Sequence, residues 1–201
     1  LMLCNTRNIN YLIENDIKNN IIYFPPFGYN KIFKINNKSK KIDLLIYGNI
    51  LDTFTHRNTY LEKINIFSNE NNINCIVRDD LFGEEKNLIL DETKIVIHIP
   101  SHEKLHSMPW AKINELMAKK VFFIIEENEE LHIKNLNNII ISYKNYDDLQ
   151  NKIIFYLENK NERNKVCEKC YNYIVNNYNI DKLFNNILIT KSISFINYKN
   201  D

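Results

Sequence analysis

The sequence predicts an α/β fold: a Rossmann-like parallel sheet flanked by helices, with extra helices at its C-terminal end. Short apolar runs alternate with longer amphipathic stretches through the middle of the chain, the pattern of strands joined by crossover helices. Only 3 Gly and 4 Pro occur in 201 residues, too few for turn-rich β architectures. Hydrophobic residues at 44% and aromatics at 12% supply apolar surface for one sizeable domain.

Residues 44–47 (LLIY) read as the first strand, stopped by the turn signal Gly48-Asn49. A helix is expected from about Arg57, with Tyr60, Leu61, Ile64 and Phe67 along one face. Residues 74–77 form a second strand, and a short helix runs from near Glu84 to Asp91. Residues 94–99 form a third strand, cut off by Pro100. Pro109 suits the first position of a helix reaching Lys119, since its missing N–H is unneeded there. Residues 121–125 (VFFII) are the most apolar run and predict a central strand, and residues 139–141 another. Helices follow at 147–158, 162–177 and 181–188. The expected division is an N-terminal segment and linker over 1–40, one domain over 41–190, and a tail over 191–201.

Charge and cysteine content exclude several classes. With 26 Lys+Arg against 25 Asp+Glu, the formal net charge is +1, so nothing electrostatic points to nucleic acid or an anionic membrane. No apolar run approaches the ~20 residues of a membrane-spanning helix, and residues 1–10 lack the charge order of a signal peptide. Four cysteines, Cys4, Cys75, Cys167 and Cys170, are too scattered for a disulfide scaffold, and a reducing, cytoplasmic compartment is expected.

Sheets of this type bind ligands beyond the carboxyl ends of their strands. That rule selects the loops after Tyr47, Val77, Ile99 and Ile125. Gly48-Asn49 would let backbone N–H groups approach a diphosphate, and His56 and Arg57 sit where a helix N-terminus would add positive charge. No Gly-x-Gly-x-x-Gly is present, which removes the main support for a dinucleotide oxidoreductase. Ser101, His102 and His106 are expected to form a polar ligand-facing loop, with Glu126 or Glu127 placed to accept from a hydroxyl. The histidines, His98 included, match no zinc spacing, so no metal is expected, and His98 reads as a hydrogen-bonded core residue. Cys167-x-x-Cys170 falls in a helical pattern with no second pair, so packing is its expected use.

Four segments in order carry a family resemblance: YFPPFGY at 23–29 followed by IDLLIYGN at 42–49, KIVIHI at 94–99, KINELMAKKV at 112–121, and the paired helical stretch at 146–178. Together they resemble the C-terminal, donor-binding half of GT-B glycosyltransferases, most closely group-1-like proteins of large DNA viruses and spore-forming bacteria. The resemblance spans residues 22–183. It implies a metal-independent, cofactor-free glycosyltransferase domain that binds a nucleotide-diphosphate sugar for transfer to an acceptor. It also implies that Lys112 faces the diphosphate and Glu115 the ribose, and that an N-terminal acceptor-binding half supplies any catalytic base. Lys112 stands at the family's usual Arg, Lys120 near its usual Gly, and His98 at a common Asn. Those departures sustain an alternative: a non-catalytic Rossmann-like interaction module derived from such an enzyme.

Overall fold

The computed structural model describes residues 2–3, 11–12, 14–15, 22–23, 28–29, 33–36, 38–51, 53–102, 108–133, 135–180 and 185. Two short strands, β1 (Met2–Leu3) and β2 (Ile22–Tyr23), pair in parallel. The main sheet follows, with β3 (Ile42–Tyr47), β4 (Cys75–Arg78), β5 (Thr93–His98), β6 (Phe123–Glu126) and β7 (Ile141–Tyr143). Its order is β4-β3-β5-β6-β7, and every neighbouring pair is parallel. The expected parallel sheet is therefore present, with β3 and β5 at its centre.

Side chains of these strands alternate between two cores. Leu45, Val96, Phe123 and Ile125 point to one face, where α2 (Gly83–Glu92), α3 (Trp110–Ala118) and α6 (Lys160–Asn177) cover them. Leu44, Ile46, Ile95, Ile97 and Ile124 point to the other, under α1 (Thr55–Glu70) and α5 (Tyr146–Glu158). Burial on both faces explains why the strands read as unbroken apolar runs instead of alternating ones. The short α4 (Glu129–Ile133) follows β6.

Helix ends are set by local chemistry. Lys120 adopts φ 53, its N–H donating to Met117 O (3.2 Å) and that of Val121 to Leu116 O (2.9 Å). This is a Schellman stop, a conformation that normally favours Gly. Asn72 and Asn135 end helical turns in the same way. Asn145 caps α5 by accepting from Asp148 N at 2.9 Å, while Asp148 accepts from Lys144 N at 3.0 Å.

Two expectations shift, and a third falls on residues that are not described. Pro109 is the N-cap of α3 and not its first helical residue. The strand expected at 139–141 begins at Ile141, because the N–H groups of Ile139 and Ile140 close a turn on Leu136 O at 2.9 and 2.8 Å. The helix expected at 181–188 lies outside the described residues apart from 185. Upstream, Tyr29 bridges in parallel to Asn179. Gly28 makes that approach possible, since a Cβ there would lie 2.7 Å from Tyr178 O.

Candidate functional site

The chain crosses from one side of the sheet to the other between β3 and β5, and their carboxyl ends part into a crevice. At such a switch point neighbouring connections leave in opposite directions and leave room for a ligand. β3 ends in Tyr47 and Gly48. Gly48 takes φ 126, where side chains are disfavoured. A Cβ there would stand 3.4 Å from the Lys112 ammonium. Its N–H donates to Arg78 O at 3.1 Å, so this amide is engaged by the neighbouring strand. What Gly48 provides is room for a cation.

Lys112, on the first turn of α3, fills that room. Its Nζ donates to the Tyr47 carbonyl and sits 3.8 Å from the centroid of the Tyr47 ring, a cation–π arrangement. Desolvation, then the adjacent Arg57 charge, push its pKa down to about 7, with Glu115 pulling the other way. Arg57, on the first turn of α1, donates through Nε to Ile99 O at 2.9 Å and through Nη1 to Asn49 O. Both cations are thus held by backbone carbonyls, which orient them without neutralising their charge.

Beside them lies a pocket of about 200 Å3, lined by Arg57, His98, Pro100, Ser101, Met108 and Glu126 among others. Glu126 ends β6. Its Oε2 lies 2.7 Å from His56 Nε2 and accepts from Tyr143 OH at 3.1 Å, so the carboxylate is locked in place. Burial and this carboxylate raise the Tyr143 phenol well above its ordinary range. His98 has no hydrogen-bond partner among the described residues. It lines the pocket, which corrects its reading as a bonded core residue. Burial and the nearby Lys112 and Arg57 charges depress its pKa, favouring neutral imidazole.

Most of the sequence-selected residues fall into two adjoining groups. Arg57, Ser101 and Glu126 line the pocket, with His56 behind Glu126. Gly48, Asn49 and Lys112 form the adjoining corner, joined to the pocket through Arg57. His102 is exposed, its ring 5.5 Å edge-on from Phe54. Glu115 lies within electrostatic reach of Lys112, but its Oε2 already accepts from Lys86 Nζ at 2.8 Å. His106 lies outside the described residues. Among the described residues no His/Cys/Asp/Glu group of three or more could hold a metal.

Sequence reasoning missed Lys86, Tyr47 and Tyr143, which hold Glu115, Lys112 and Glu126. It also missed Glu130, a buried carboxylate accepting from Met108 N (2.8 Å) and Trp110 Nε1 (3.0 Å). Only Tyr47 left a signal, as the last strand residue before the turn glycine.

Comparison with known proteins completes the description. The pattern of the glycosyl transferase-like family matches residues 32–189. No curated protein matches the chain. The crystal structure of TarM superposes with a TM-score of 0.65 at 12% identity, over 93% of this chain and 42% of that one. That likeness is one of fold: the sheet, its helices and the extra C-terminal helices match a single Rossmann-like half of GT-B type.

Proposed function

The chain belongs to the glycosyl transferase-like family, and we propose that it is a donor-binding half taking a nucleotide-diphosphate sugar. One observation carries this reading. Arg57 and Lys112, from different helices, converge on the switch point with only backbone carbonyls as hydrogen-bond acceptors among the described residues. Two cations preorganised in a crevice stabilise an anion more than the same charges in water, because they need not reorganise. A diphosphate leaving group gains negative charge as the glycosidic bond breaks, so positive charge fixed here lowers the barrier. The pocket bounded by Ser101 and Glu126 is of monosaccharide size. Glu126, clamped by His56 and Tyr143, presents a fixed acceptor for a sugar hydroxyl. Glu115 remains the ribose acceptor, sharing its lone pairs with Lys86. Residues 41–190 form the binding domain, and an acceptor-binding half completes the enzyme.

Calorimetry with uridine and guanosine diphosphate sugars tests the proposal. Binding is expected, weakened about tenfold or more in Lys112→Met, the scale of one hydrogen bond to a charged group. Absence of binding at millimolar ligand overturns it. That outcome would favour the non-catalytic module, a reading to which the prior engagement of Glu115 by Lys86 lends some support.

A further inference from the structure

A second cavity opens at the opposite edge of the sheet, below the amino ends of β5 and β6. It measures about 660 Å3, within the roughly 300–1,000 Å3 of small-molecule sites. Its walls are residues 35, 36 and 38–40 ahead of β3, the C-terminal ends of α2 and α3, and the first turns of α6. The described lining residues include seven basic side chains against two carboxylates, in a chain whose formal net charge is only +1.

This concentration of charge is not an ordinary solvated surface. Lys119 and Arg163 are each only 7% exposed. Three cations are already paired: Lys94 with Asp43 at 2.6 Å, Lys119 with Asp91 at 3.6 Å, and Lys120 with Glu168 at 2.6 Å. Asp91 is further occupied by Asn36 Nδ2 at 2.6 Å. Half-buried Lys40, exposed Lys160 and buried Arg163 have no carboxylate within salt-bridge distance among the described residues. Arg163 Nη1 donates to the Tyr156 and Leu157 carbonyls at the end of α5, which fixes the guanidinium without an ion pair. Burial pushes the Lys40 ammonium below its ordinary pKa despite Asp91 nearby. α6 begins at this cavity with no side-chain cap, adding the positive end of its dipole. Uncompensated cations in a concave, partly dry site repel one another until an anion joins them.

We propose that this cavity binds a small polyanion carrying two or more phosphate charges, held between Lys40, Lys160 and Arg163. The site is separate from the crevice described above, since the six residues of β5 place the two sheet edges ~20 Å apart. It does not depend on the glycosyltransferase reading.

Inorganic pyrophosphate, titrated into the full chain and followed by amide NMR, tests the assignment. Resonances of residues 119–121 and 160–164 are expected to shift in the unsubstituted protein. Affinity at that site should fall about tenfold or more in the double variant Lys40→Met/Lys160→Met. It should be unchanged in Lys112→Met, which reports on the other crevice. The proposal is overturned if those resonances stay still at millimolar pyrophosphate while residues 48–57 respond. It is equally overturned if the folded double variant binds like the parent. The shifts in the unsubstituted protein decide the matter even if the double variant fails to fold.

Discussion

Lys112 is the residue on which the crevice turns. Its ordinary pKa of 10.5 falls to about 7 because burial and Arg57 both penalise the charged form. Between about pH 7 and 10.5 the unfolded chain holds a proton that the folded chain has lost, so this group raises stability as pH rises through that window. An anion bound beside it reverses the penalty and draws the proton back. Binding of a nucleotide-diphosphate sugar, whose diphosphate does not titrate in this range, is therefore expected to take up close to one proton near pH 8 and almost none near pH 6. Calorimetry in two buffers of unlike ionisation enthalpy measures this directly, and equal heats in both near pH 8 would count against it. Lysine serves here as a point charge, without the bidentate fork that an arginine would offer.

At the scale of elements, α3 is the part that positions the site, and its entry is held by a residue from the next helix. Glu130, on α4, is buried and accepts from Met108 N and Trp110 Nε1. Met108 and Pro109 line the pocket, and Lys112 lies one turn on, so the carboxylate anchors the loop from which the helix starts. Glu130→Ala would strand two donors in the interior, each at a cost of about 1–3 kcal/mol. Denaturant unfolding should show that loss, and nucleotide-sugar affinity should fall with it. Neutral ligand affinity in a markedly destabilised variant would show that α3 is positioned by its apolar face alone. α6 presents the contrasting case of a motif without chemistry. Cys167 and Cys170 are unbridged and buried, and burial pushes the Cys167 thiol up to about 12. Their spacing follows from the packed face of the helix, with Cys170 Sγ donating to Ile139 O at 3.3 Å.

For the whole molecule, stability resides in two cores separated by one sheet, and β5 contributes to both. Ile95 and Ile97 pack under α1 and α5, Val96 under α2 and α3. Ile97→Ala removes fully buried volume from the central strand, which typically costs about 2–5 kcal/mol. Because the strand is shared, urea unfolding followed by fluorescence and by circular dichroism should shift together. Separated transitions would mean that the two faces unfold as independent units.

Strand positions were legible in the sequence because a sheet buried on both faces leaves runs such as IVI at 95–97 and FII at 123–125. Helix termini were nearly as legible, being governed by neighbouring residues, although Pro109 and Ile139 show that a cap or a turn can move a boundary by one or two positions. Loop residues such as Arg57, Lys112 and Glu126 could be singled out because parallel topology places ligands at strand carboxyl ends. What each side chain does there depends on atoms distant in sequence. Lys86 claims Glu115 across 29 positions, His56 reaches Glu126 across 70, and Tyr47 receives Lys112 across 65. The sequence therefore determined the layers and the edge at which a ligand would sit, since burial periodicity and chain direction are local properties. Only the tertiary structure decided which charges are spoken for, which remain uncompensated, and that a second basic cavity exists at the far edge. Hydrogen bonding and desolvation act through space between residues that no local pattern connects.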